Sequence, residues 1–305
     1  MTSPPAAEPF DLGEYLRTEA VRVNRALSLA MEMAEALLPA DLQAAACHAV
    51  LSRGKRLRPV LCVTAYRVCG GKSPRVSELA AAVELIHAYS LAHDDLPSMD
   101  DAELRRGRFT THRVYGEDAA TRAGAALIPL AALQAWRGTL AVGCDRDTAR
   151  RVVTELCLAG GAGGMVGGQA LDLRAEGVCV SASELDRLHA LKTGALLTAS
   201  LRIGALAAGA PVPILAALDA YGRSVGLAFQ VTDDVLDTTA NAEQLGKRPS
   251  DMALGKTTYV AVHGLEAATR RAAAEVGRAR AALEAVEIDD PALHALAGYV
   301  IERRS

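Results

Sequence analysis

Two stretches of this chain, ELIHAYSLAHDDLPSMDDAELRRGR (84–108) and FQVTDDVLD (229–237), crowd carboxylates into apolar helical text. Acids side by side on an apolar helix repel one another. The fold must therefore bring a proton, a cation or a basic group to each cluster. The first stretch also segregates its charges: Asp94, Asp95, Asp100, Asp101 and Glu103 all precede Arg105, Arg106 and Arg108. A solvated helix face would interleave the signs at i,i+4 spacing. Separation suits a site that holds cations at one end and anions at the other.

On an ideal helix Gln230, Asp233, Asp234 and Asp237 fall at i, i+3, i+4 and i+7, one face. His87, Ser90, Leu91 and Asp94 repeat that spacing, so His87 lies two turns below Asp94, as a core histidine or as a ligand group. Pro97 ends the helix and lets Asp100 fold back towards Asp94. Either cluster alone could be a solvated acidic helix end. Oxygen-only clusters without His or Cys at ligand spacing favour Mg²⁺ over zinc or copper. Mg²⁺ keeps waters and binds through one or two carboxylates plus substrate phosphates, so two such clusters facing each other would grip a diphosphate. The basic groups point the same way. RGKRLRP (53–59) sets Lys55 and Arg58 at a helix start, where backbone N–H groups also attract anions. Lys192, Lys247 and Lys256 stand near Thr193, Thr257 and Thr258. Each alone is as readily a surface charge. Together they suggest two anionic pockets, one held by metal and one by Arg and Lys directly.

Half of the 305 residues are hydrophobic but only 4% are aromatic, and Ala, Leu and Val dominate. That mixture favours an all-α protein. Helices are expected from Asp11 to near Pro39 and around 41–51, 58–69, 77–95, 117–142, 146–161, 183–208, 213–238 and 256–285. A single domain spanning 1–305 is the simplest reading, with 1–10 a frayed terminus. GGAGGMVGGQALDL (160–173) matches no phosphate-loop spacing and reads as close packing or a kink. The net charge of −3 offers no basic surface for nucleic acid. The six cysteines form no CxxC pair and read as buried, reduced thiols. MTSPPAAEPF lacks the regions of a signal peptide, and the apolar run 123–133 is too short for a bilayer. A soluble, cytoplasmic protein with no membrane partner is expected.

These motifs resemble the trans-isoprenyl diphosphate synthases, and within them the bacterial farnesyl diphosphate synthases. GKRLRP, ELIHAYSLAHDDLPSMDDAELRRG, TTHRVYGE, MVGGQALDL, LKTGALL, FQVTDDVLD, LGK and GKTTY occur in that order. The resemblance implies the isoprenoid synthase fold, with helices around a central cavity and both aspartate motifs at its mouth. It implies three Mg²⁺ bridging Asp94, Asp95, Asp100, Asp233, Asp234 and Asp237 to an allylic diphosphate. Arg105, Lys192, Thr193, Gln230, Lys247 and Lys256 would hold or polarise that substrate. Gly54, Lys55, Arg58, His87 and Arg106 would hold isopentenyl diphosphate. Tyr89 and Ser90, five and four residues before Asp94, would form the floor that stops chain growth at C15. The resemblance also implies a homodimer. C20 and C10 synthases are the alternatives, followed by a class I terpene cyclase or a non-catalytic synthase subunit. Three features depart from the pattern: Phe109 where relatives carry Pro, Ala125 where many carry Asp, and a shortened LGKRPSD.

Overall fold

The computed structural model describes residues 10–178, 180–239 and 257–302. In chain order the first helices are α1 (Leu12–Glu35), α2 (Ala40–Val50), α3 (Leu57–Val68) and α4 (Val76–Asp94). A hairpin of β1 (Leu104–Arg105) and β2 (Arg108–Phe109) follows, then α5 (Thr111–Tyr115), α6 (Glu117–Ala141), α7 (Arg146–Gly160) and α8 (Met165–Ala175). Next come α9 (Ala182–His189), a π-helical turn (Ala190–Gly194), α10 (Ala195–Ala207) and α11 (Val212–Thr239). The chain closes with α12 (Tyr259–His263), α13 (Leu265–Glu284) and α14 (Pro291–Glu302). The all-α expectation holds; among the described residues the hairpin is the only sheet.

Helices begin where the sequence supplies caps. Asp11 accepts from the Glu14 N–H at 2.9 Å, Asp145 from the Thr148 N–H at 2.8 Å, and Ser181 and Glu184 cap α9 reciprocally. Each side chain satisfies a donor that helix geometry leaves unpaired. By contrast α4 and α10 are buried on nearly all sides. One core cluster joins Leu27 and Met31 of α1, Leu61 of α3, Leu85 of α4, Leu127 of α6, Leu201 of α10 and Tyr221 of α11. A smaller one, with Leu185, Val231, Tyr259, Ala268 and Ala272, lies where α9, α11, α12 and α13 meet. α11 has the length and hydropathy of a membrane span. Its packing against α10 and α13 accounts for that hydropathy without a bilayer.

Several boundaries differ from the sequence expectation. The helix expected over 183–208 is three segments, with the π turn in its middle. The helix expected from 256 to 285 breaks at Gly264, whose φ of +80° is costly for any residue with a Cβ. The glycine-rich stretch is the joint between α7 and α8, and both α8 and α14 escaped the periodicity reading. Of the five described cysteines, all free, Cys62 is buried as expected but Cys157 is exposed. Residues 1–9 of the expected frayed start, Cys179, and the region of Lys247, Asp251 and Lys256 lie outside the described residues.

A close backbone approach in the core joins α4 to α6. A Cβ on Gly138 would sit 2.5 Å from the Leu79 Cα and 2.6 Å from its nitrogen, main chain that cannot swing aside. Gly138→Ala is therefore expected to destabilise by about 1–3 kcal/mol, despite alanine's better helix propensity of about 1 kcal/mol. Denaturant unfolding reads this as a lower midpoint; an unchanged one would show that the two helices can part without cost.

Candidate active site

Asp94 is the last residue of α4, and the chain reverses immediately after it. The Asp100 N–H donates to the Asp94 carbonyl at 2.9 Å and the Asp101 N–H to the Leu96 carbonyl at 3.0 Å. The fold-back expected from Pro97 is present. It carries a positive φ of +44° at Asp101. Burial pushes the Asp94 carboxyl up to about 6; Lys192 opposes the shift and Asp100 adds to it. Asp94, Asp100 and Lys192 thus share one electrostatic neighbourhood.

Asp95 does something else. It is 3% exposed, and its Oδ1 accepts from Arg105 Nε at 2.6 Å. Asp234, its counterpart on α11, is 4% exposed and accepts the Tyr259 N–H at 2.7 Å, with His189 Nε2 at 3.7 Å. Both second aspartates are anchored to protein groups, which departs from the six-ligand expectation. Asp233 and Asp237 are only half-buried. Next to them Thr193 Oγ1 donates to Gln230 Oε1 at 2.9 Å, bringing two expected site residues together. The π turn re-registers Lys192 and Thr193 relative to an α-helix, and such turns recur at functional sites. Asp172 of α8 accepts from Lys192 Nζ at 2.5 Å, a partner the sequence reading missed.

RGKRLRP opens a second cavity, of about 410 Å³, lined by Gly54, Lys55, Arg58, His87, Arg106, Phe229 and Tyr299 among others. Its frame is Arg56, which the motif alone did not single out. Arg56 is 4% exposed, has φ +51°, and donates to Glu84 at 2.5 Å, to Asn24 at 2.9 Å and to the Ser52 carbonyl at 2.6 Å. With Arg56 so occupied, its neighbours face the cavity. Arg58 Nη1 donates to His87 Nε2 at 3.3 Å. An arginine has no acceptor, so that nitrogen must be the unprotonated one. Burial, and then the charges of Arg58 and Arg106, hold the His87 pKa well below its usual value, so the ring is neutral. Arg58 also feels Asp233, which ties this cavity to the second acidic motif.

Arg106 arrives from the hairpin. Leu104 pairs with Phe109 and Arg105 with Arg108, leaving a two-residue turn. Arg106 (φ +55°) and Gly107 (φ +75°) both take the left-handed conformation of a type I′ turn. The Arg106 guanidinium donates to the Arg53 carbonyl at 2.8 Å and lies 2.2 Å from where a Cβ on Gly54 would be. Gly54 is small so that Arg106 can cover it. Lys55 Nζ lies 5.7 Å from the ring centroid of Tyr299 on α14. Of the remaining expected residues, Tyr89 is buried and donates to the Gly160 carbonyl at 3.0 Å, while Ser90 Oγ donates to the His87 carbonyl at 2.9 Å. Phe109 is exposed at the hairpin and Ala125 is exposed on α6.

Among the described residues no three acidic, His or Cys side chains converge as a preformed metal site. The all-carboxylate donor set nevertheless fits Mg²⁺, which is completed by water and phosphate oxygens. Half-buried carboxyls at Asp94 and Asp100, the second adding to the cost of charging the first, are the kind of site a cation relieves.

The sequence pattern of the polyprenyl synthetases matches residues 39–287. The chain belongs to that family. It is 46% identical to the farnesyl diphosphate synthase of Escherichia coli over 264 residues, 84% of this chain and 87% of that one. It is 40% identical to a chloroplastic geranylgeranyl pyrophosphate synthase of Capsicum annuum, over 97% of this chain and 80% of that one. A crystal structure of an FPP/GFPP synthase from Zymomonas mobilis superposes with a TM-score of 0.81 at 33% identity, covering 95% and 98% of the two chains. The fold is therefore the isoprenoid synthase fold, and the protein is a trans-prenyl diphosphate synthase. The substrates of this family are isopentenyl and allylic diphosphates.

In the ligand-free prenyl synthase Asp94 holds its proton more tightly (about 6) than an unperturbed aspartate (3.8). Its contribution to stability therefore falls as pH rises between those values, and the cost persists above them. Allowing for partial exposure, that cost is on the order of 2 kcal/mol. Asp94→Asn should unfold at higher denaturant than the wild type at neutral pH and lose the advantage below about pH 4. A difference independent of pH would place the strain elsewhere.

Proposed function

We propose that the protein is an Mg²⁺-dependent head-to-tail prenyltransferase that extends dimethylallyl and geranyl diphosphates with isopentenyl diphosphate, stopping at farnesyl diphosphate (C15). The observation that carries this reading is a basic cavity beside an unlike, acidic cluster. One is lined by Arg58, neutral His87 and Arg106; the other has Asp94 and Asp100 beside Lys192, with Thr193 bonded to Gln230. A pocket of fixed cations suits a diphosphate that stays intact. Mixed carboxylates and a lysine suit one that leaves, because a bound metal can share its charge.

Asp94, Asp100, Asp233 and Asp237 would hold Mg²⁺, three ions by family resemblance, and Asp95 and Asp234 would fix the geometry around them. Mg²⁺, when bound, stabilises the charge that develops on the departing diphosphate. Lys192 adds charge from the side of the π turn. Arg105 keeps N–H donors beyond the pair with Asp95, since a guanidinium has five. Lys247 and Lys256, outside the described residues, complete the set by resemblance. Arg58 holds isopentenyl diphosphate with Arg106 and Lys55. His87 stays neutral and orients Arg58 by accepting its N–H. The Ala- and Leu-rich helices exclude water from the allylic cation. The alkene of isopentenyl diphosphate attacks it, and the released diphosphate accepts the final proton. The same reading carries a single-domain homodimer in the cytoplasm.

Tyr89 supports the C15 product. It is buried, and the bond from its hydroxyl to the Gly160 carbonyl ties the ring to α7, so it cannot swing aside for a longer chain. Relatives of comparable similarity include both farnesyl and geranylgeranyl synthases, so a C20 product is the competing outcome. One more isoprene unit needs about one helical turn of depth, ~5.4 Å. Its burial gains about 4 kcal/mol at ~0.8 per carbon, so a steric stop is required. Incubation with Mg²⁺, isopentenyl diphosphate and dimethylallyl diphosphate should yield C15, and Tyr89→Ala should move products to C20 or longer. A wild type that makes mainly C20, or a variant whose products do not shift, removes Tyr89 as the floor. A cyclised product or no condensation would refute the synthase reading itself.

Arg58→Ala is expected to weaken isopentenyl diphosphate by about 1.5–3 kcal/mol and to leave the allylic substrate nearly unaffected. Equal losses for both substrates would refute the division into two pockets. Separate KM titrations of each substrate decide the matter.

A further inference from the structure

Asp172 belongs to none of the roles above, yet it is 9% exposed on α8 and bonds Lys192 at 2.5 Å. The contact is built from the backbone. A Cβ on Gly168 would lie 2.2 Å from the Lys192 nitrogen, so α8 and the π turn meet main chain to main chain and cannot slide. One turn before Asp172, α8 buries Gln169, neither of whose amide atoms has a hydrogen-bond partner. Buried amides are nearly always satisfied, which marks this helix face as one that meets a ligand. Lys192 is also the strongest charge opposing the raised proton affinity of Asp94. The ammonium therefore stands between two acids and is bonded to the one on α8.

We propose that Asp172 is a positioning residue: it holds the Lys192 ammonium against α8, off the α4 carboxylates, so that a cation can reach Asp94 while Lys192 stays beside the incoming diphosphate. Without Asp172 the lysine would be drawn to Asp94 and Asp100 and would compete with the cation there. The proposal rests on the reading of Lys192 as a contact of the allylic diphosphate.

The test is the full-length Asp172→Asn variant, which keeps the side-chain shape and removes the charge. Its affinity for Mg²⁺ with inorganic diphosphate, measured by calorimetry, should fall about tenfold. Its turnover defect should shrink as Mg²⁺ is raised, with the KM for isopentenyl diphosphate unchanged. Asp172→Glu retains the charge and should show a smaller loss in the same direction, which keeps the test alive if Asp172→Asn does not fold. Lys192→Ala and the double variant Lys192→Ala/Asp172→Asn should behave alike, since Asp172 acts through the lysine. Wild-type affinity in Asp172→Asn, a defect indifferent to Mg²⁺, or losses that multiply in the double variant would each overturn the proposal. The calorimetric readout needs no turnover. A wild type that binds magnesium diphosphate but condenses nothing would refute the synthase reading, and a loss in Asp172→Asn would still support this one.

Discussion

Asp95 sits almost fully buried at the end of an apolar helix, and the Arg105 guanidinium makes that burial tolerable. Much of the site is arranged by this pair. It holds the hairpin against the end of α4, and the type I′ turn then projects Arg106 onto Gly54 in the basic cavity. It also closes the loop that returns the Asp100 backbone to Asp94. The pair is part-buried, with the Arg105 side chain 34% exposed, so removing one partner costs about 1–3 kcal/mol, enough to loosen a loop that is otherwise tied by main-chain bonds and a few side-chain bonds. A single ion pair thus couples the acidic and basic halves of the site.

The same division of labour recurs on α11, for a geometric reason. Neighbouring helical residues point about 100° apart, so two adjacent aspartates cannot both face the cavity. On α11 one of them turns to the backbone of Tyr259, as Asp95 turns to Arg105 at the end of α4. The anchored acid holds the next segment in place. Tyr259 follows Lys256 by three residues in the chain, so Asp234 fixes the start of α12 just beyond that lysine.

The helices and the fold-back at Pro97 were legible because each rests on periodicity or on short-range chain geometry, whereas the grouping of Thr193 with Gln230, 37 residues apart, came only from the family resemblance. What escaped rests on distant partners. Nothing in GKRLRP distinguishes buried Arg56 from cavity-facing Arg58; Glu84 and Asn24, far along the chain, decide it. Tyr299 was invisible because its helix was not recognised. The i+3, i+4, i+7 pattern of Asp233, Asp234 and Asp237 spans about 100° of arc. That is wide enough for its edge residue, Asp234, to face the interior and accept the Tyr259 N–H, which spacing alone does not reveal.

The charges of the site are unfavourably placed on both sides, and that shapes what it can bind. Burial and then Asp100 raise the cost of charging Asp94, while Arg58 is pushed down by burial and by Arg106. The protein contains these charges with fixed partners: Asp172 on Lys192, Asp95 on Arg105, Glu84 beneath the basic cavity. None of these partners can leave, so each neutralises only in part. On the proposed reading, a diphosphate with its cations would supply the remaining charge to both halves at once. Its binding therefore relieves repulsion in addition to making contacts, and charges held before the substrate arrives need little rearrangement when the carbon–oxygen bond breaks.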